Sequence, residues 1–120
     1  MAKDLSISLL LDFYGEILTQ KQREVVEFYY NEDLSLAEIA EHCGITRQGV
    51  RDSIKRAEAQ LLDCEDKLGL MKRFYRIQEG LNEIISHATD IQAEGQHLPF
   101  ADRLREKTRR ILEIASEINV

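Results

Sequence analysis

Residues 36–54 read LAEIAEHCGITRQGVRDSI, and this run decides the fold. Leu36, Ile39, Ala40 and Cys43 recur at helical spacing and share one side of a short helix. Ser35 precedes that helix and Glu38 follows three residues on. In such a capping box each side chain satisfies a backbone amide that the first helical turn leaves unpaired. Gly44 ends the helix, because glycine enters the left-handed conformation without a steric penalty. One apolar residue later, Thr46 caps a second helix. Two helices crossing steeply through so short a turn need a small residue where they touch, glycine in the turn and apolar residues closing the corner. Ala40, Gly44, Ile45, Val50 and Ile54 fall at those places, and the run is a helix-turn-helix.

The pattern extends in both directions. Upstream, Ile7, Leu10, Leu11, Tyr14 and Leu18 predict a first helix over about residues 4–16. Thr19 and Gln22 form another capping box, opening a helix with Val25, Val26, Phe28 and Tyr29 that fades at the polar turn Asn31, Glu32, Asp33. Downstream, Val50, Ile54, Ala57, Leu61, Cys64 and Leu68 alternate spacings of four and three, a heptad-like seam longer than a recognition helix needs. Gly69 predicts a break. Leu70, Phe74, Ile77, Leu81, Ile84, Ala88 and Ile91 then repeat the pattern, Gly95 and Pro99 mark a turn, and a last helix is expected over residues 99–118 with Phe100, Leu104, Ile111, Ala115 and Ile118. No strand-like alternation persists. The expected fold is all-α, with a helix-turn-helix domain over residues 1–68 and a C-terminal helical hairpin over residues 69–120, which packs on its own chain or on a second copy.

Composition bounds the function. A chain of 120 residues, 43% hydrophobic and 32% charged, suits one ordinary globular domain with an appendage. It has no apolar run long enough to span a bilayer, and its first residues form neither a basic leader nor a cleavage site, so a cytoplasmic protein without membrane insertion is expected. Cys43 and Cys64 lie on apolar stripes and are expected to be buried, reduced and unligated. His42, His87 and His97 are scattered, and no nucleophile, metal set or phosphate loop stands out. Neither an enzyme nor a cofactor is expected.

The net charge of −6 hides its distribution. Residues 1–45 carry three basic against nine acidic side chains, whereas residues 46–56 carry Arg47, Arg51, Lys55 and Arg56 against Asp52 alone. Residues 57–70 are acidic again and residues 71–120 balance. The basic window is therefore one short helix in an acidic chain, suited to local phosphate contact but not to a strong non-specific hold on nucleic acid. With the corner closed, Thr46, Arg47, Gln48, Arg51, Asp52, Lys55 and Arg56 make the candidate nucleic-acid face. Arginine and glutamine match guanine and adenine edges, and arginine and lysine serve phosphates. The competing reading is a solvated face on a plain helical corner, a protein–protein interaction module in which the helix-turn-helix is only a scaffold. Gly49 is costly inside a helix and points either to a close backbone approach, by a neighbour or a phosphate, or to simple tolerance.

The runs LTQKQREVVEFYY (residues 18–30) and SLAEIAEHCGITRQGVRDSIKRAEAQL (residues 35–61) resemble region 4 of bacterial sigma factors. Together with Asp12-Phe13-Tyr14, the Tyr29-Tyr30 pair and the long helix after the turn, they are still more similar to the YlxM-like family of small bacterial proteins, over about the first 70 residues. Cys43 departs from the pattern, which usually has leucine or phenylalanine there. The resemblance implies a sigma-like DNA-binding fold in a cytoplasmic regulator linked to the signal recognition particle pathway. The partners to weigh are then DNA, the particle's RNA or its GTPase. A single recognition helix offers few base contacts, and the long apolar stripes exceed what a helix-turn-helix covers, so a homodimer is also expected.

Overall fold

A computed structural model describes residues 3–119. The chain is all-α, with no strand among those residues: α1 (Ser6–Tyr14), a 3-10 turn (Gly15–Ile17), α2 (Gln20–Tyr30), α3 (Leu36–Cys43), α4 (Arg47–Leu68), α5 (Leu70–Glu94) and α6 (Ala101–Ile118). Both predicted capping boxes are formed, Thr19 with Gln22 and Ser35 with Glu38. Gly44 and Gly69 end α3 and α4 at φ of 65° and 63°, in the left-handed region where a side chain would be strained. The first helix is shorter than predicted, because the chain tightens into the 3-10 turn and Leu18 caps that turn in extended conformation. The last starts at Ala101, not residue 99, since residues 98–101 form a turn closed by the Ala101 amide on the Leu98 carbonyl at 3.0 Å.

Contacts divide the chain into two compact units, Met1–Lys72 and Arg73–Val120, with the division inside α5. In the first unit α4 packs against α1, α2 and α3. Val50, Ile54, Ala57 and Leu61 of α4 are fully buried with Ile7, Leu10, Val26 and Ile39 around them. Seven of these eight, all but Ala57, are large side chains, and their burial supplies the main favourable contribution to the stability of this unit. The predicted seam is too long by its last position: Cys64 is half-buried and packs against the core, whereas Leu68, at the end of α4, is 57% exposed. Cys43 is likewise half-buried and not enclosed. It lines a cavity with Val25, Ile45 and Ser53 that opens to solvent, and burial together with nearby Glu24 raises its thiol pKa.

Two tyrosines fasten α4 by polar contacts. The Tyr30 hydroxyl donates to Glu58 Oε1 at 2.8 Å, and the Tyr14 hydroxyl donates to Glu65 Oε1 at 2.6 Å. Glu65 also accepts from the Met71 and Lys72 amides at 3.0 Å, while the Tyr14 hydroxyl accepts from the Leu70 amide at 3.0 Å. The pair thereby satisfies three amides that the first turn of α5 would leave open, the task of a cap performed from a distance. Tyr14 hydrogen bonding holds the Glu65 carboxyl below its ordinary 4.5, and burial followed by the bond to Glu65 raises the Tyr14 hydroxyl. Glu65→Gln should speed amide exchange at Met71 and Lys72 about ten-fold, because each amide loses a charged acceptor. A depressed carboxyl stabilises above its unfolded pKa. The melting-temperature gap between parent and variant should be full above pH 4.5 and close as acidification passes the lowered value.

The second unit is an antiparallel helical pair. Asn119 Nδ2 donates to Asn82 Oδ1 at 2.9 Å near its open end. At the turn a Cβ on Gly95 would lie 2.9 Å from Leu104 Cδ1, so glycine there lets the Leu104 side chain of α6 pack against the turn. These contacts align α5 from Asn82 to its C-terminal end with α6. The buried positions are Ala88, Gly95, Thr108 and Ala115, with Leu81, Ile85, Gln92, Leu104 and Leu112 half-buried. The predicted stripe of α5 is thus mostly not the covered one: Ile77, Ile84 and Ile91 are 46–49% exposed. One neighbouring helix covers a narrower strip than the apolar face α5 presents.

Candidate nucleic-acid interface

The corner between α3 and α4 is closed by backbone and cap hydrogen bonds. The Gly44 amide and the Ile45 amide both return to the Ala40 carbonyl, the latter at 3.1 Å, and tie off the last turn of α3. Thr46 Oγ1 then accepts from the Gly49 amide at 3.0 Å and starts α4. A Cβ on Gly49 would lie 3.2 Å from that oxygen and 3.8 Å from Ile45. The neighbour that a glycine admits here is the chain's own cap.

Val50 and Ile54 point into the core, which fixes the rotation of α4 and turns Arg47, Gln48, Arg51, Asp52, Lys55 and Arg56 outward. All six are exposed, as is Thr46, which is occupied as the cap. Among the described residues no ion pair engages Arg47, Arg51, Lys55 or Arg56. Gln48 donates to Asp52 Oδ1 at 2.9 Å along the helix, so reading a base through Gln48 requires breaking that bond. Arg47, Gln48 and Arg51 line a shallow groove of 370 Å³ with Leu36, the first residue of α3. Leu36, on the apolar side of α3 as the spacing predicts, packs against the core and also forms a wall of this groove, a second role for which its position at the start of α3 was the available signal.

The three histidines stay apart. His42 stacks on Phe28 with ring centroids 5.2 Å apart, and His87 approaches Glu83 at 3.6 Å. No group of three or more His, Cys, Asp or Glu among the described residues is arranged to hold a metal ion. No helix among them is long and apolar enough to cross a membrane.

Comparison with known proteins places this geometry. Residues 1–99 match the family UPF0122, described as "Putative helix-turn-helix protein, YlxM / p13 like". The match runs past the first 70 residues into the helical pair. A UPF0122 protein of Clostridium kluyveri is 48% identical over 94 residues, spanning 78% of this chain and 85% of its own. One from Acetivibrio thermocellus is 43% identical over 114 residues, 95% of this chain and 97% of its own. Another, from Thermoanaerobacter sp. strain X514, is 46% identical over 114 residues, 95% and 88% of the two chains. The chain belongs to the UPF0122 family of YlxM/p13-like helix-turn-helix proteins.

Proposed function

We propose that this is a non-enzymatic, cytoplasmic nucleic-acid-binding regulator that works as a homodimer through the exposed face of α4. One observation carries the reading. The core-facing Val50 and Ile54 hold the basic window of an acidic chain outward, at a helix-turn-helix corner closed by its own caps. Arg47, Arg51, Lys55 and Arg56 are the phosphate and guanine contacts, and Gln48 is an adenine reader once released from Asp52.

The acidic remainder of the chain favours a structured RNA held at few phosphates over a free-standing repressor on duplex DNA. Resemblance to the YlxM-like proteins makes the RNA or the GTPase of the signal recognition particle the first partners to test. The test is direct binding of the whole chain to that RNA, to random duplex DNA and to the GTPase at matched ionic strength. RNA or DNA binding that weakens steeply with salt supports the reading. Salt-insensitive binding to the GTPase alone would replace it with the second one, an interaction module in which the corner is a scaffold; the Gln48–Asp52 bond, which ties up one base reader, favours that alternative.

A further inference from the structure

The second unit has an apolar face that its own two helices do not cover. Gly95 and Leu104 touch near the turn and Asn82 meets Asn119 near the open end, so each level of α5 faces a known level of α6. Measured from that seam, Ile77, Ile84 and Ile91 of α5 are displaced around the helix in one rotational sense, and Ile111, Ile114 and Ile118 of α6 are displaced in the same sense. For antiparallel neighbours this puts both rows on one side of the pair. All six isoleucines are 40–55% exposed. No large hydrophobic side chain is fully buried among the described residues of this unit, and a two-helix pair has no enclosed core of its own.

The sequence along α5 indicates what covers this face. Ile77, Ile84 and Ile91 are spaced by seven and are symmetric about Ile84, so an antiparallel copy of α5 crossing at Ile84 sets Ile84 on Ile84 and Ile77 on Ile91. The same crossing brings Arg73 and Arg76, at one end of α5, to Asp90 and Glu94 at the other end of the second copy. None of these four is ion-paired within the chain among the described residues. Gly80, whose missing Cβ would meet nothing within 4 Å, lies beside the isoleucine row and leaves room for the facing helix. By the seam alignment Ile84 is level with residue 116 of α6, and Ile114 and Ile118 straddle that level, so one two-fold axis satisfies both rows.

We propose that a second copy of this chain covers the isoleucine face, α5 lying antiparallel on α5 across a two-fold axis at Ile84, to give a four-helix bundle. The proposal deepens the homodimer reading and rests on it. The test combines sedimentation equilibrium of the parent with oxidative crosslinking of full-length cysteine variants, the bonds being located by peptide mapping apart from Cys43 and Cys64. A dimeric parent is expected. Ile84→Cys alone should crosslink through position 84, and Ile77→Cys alone should not, whereas Ile77→Cys mixed with Ile91→Cys should join 77 to 91. As a second measure, Arg73→Glu with Arg76→Glu should weaken association at least ten-fold, and adding Asp90→Arg with Glu94→Arg should restore it. A monomeric parent would overturn both the homodimer reading and this pairing. A dimer that neither crosslinks at 84 nor regains association by the charge exchange would overturn the pairing alone.

Discussion

Ile54→Asp should unfold the helix-turn-helix unit. Ile54 is fully buried at the crossing of α3 and α4, between Val50 and Ala57 and within the cluster that includes Ile39 and Val26. The substitution removes the isoleucine's packing and puts a carboxylate where no cation or free donor is available. Lost packing alone costs about 2–5 kcal/mol, and burying an unpaired charge adds several more. Since small domains are stable by about 5–15 kcal/mol, the sum removes most or all of the margin. Thermal melting followed by circular dichroism should show a lost or strongly lowered transition. Ile54→Val, which keeps the apolar surface, should cost about 0.5–1.5 kcal/mol and keep the transition cooperative. A cooperative melt for Ile54→Asp within a few degrees of the parent would mean that the corner is not held by this core.

Arg51→Glu should have the second large effect, on binding and not on folding. Arg51 lies at the centre of the exposed face, one turn from Arg47 and from Lys55, and lines the groove beside Leu36. Reversal replaces an attraction for phosphate with a repulsion and removes a bidentate donor. The expected loss is about ten- to a hundred-fold in affinity for nucleic acid, with a salt dependence shallower by about one phosphate contact. The melting temperature should stay close to the parent's, since an exposed side chain away from any cap contributes little to stability. Arg51→Lys separates two uses of this residue: it keeps affinity for phosphate and loses discrimination between sequences if Arg51 reads a base edge. Equal binding by parent and Arg51→Glu would leave the face merely solvated and support the scaffold reading.

Not all of this was equally legible in the chain. The starts of α2, α3 and α4 were, because a cap is a local bond between residues three apart: Thr19 with Gln22, Ser35 with Glu38 and Thr46 with the Gly49 amide each lie within one turn. So was the outward rotation of Arg47 and Arg51, which follows from Val50 and Ile54 being apolar on a helix. The bonds from Tyr14 to Glu65 and from Tyr30 to Glu58 were not. They join residues 51 and 28 positions apart, and nothing near a tyrosine in sequence tells which carboxylate it reaches.

The sequence by itself determined the all-α class, the helix-turn-helix and the glycines that end α3 and α4, since periodicity, caps and left-handed turns are set by neighbours along the chain. Only the tertiary structure decided which apolar stripes are covered. Leu61 and Leu68 belong to one heptad-like seam, yet Leu61 is fully buried in the core and Leu68 is 57% exposed. On α5, Ala88 meets α6 while Ile84, four residues earlier, does not. A stripe of apolar residues states that a helix needs a partner. How far the partner reaches, and on which flank it lies, is fixed by the lengths and crossing of the other helices, which no local pattern encodes.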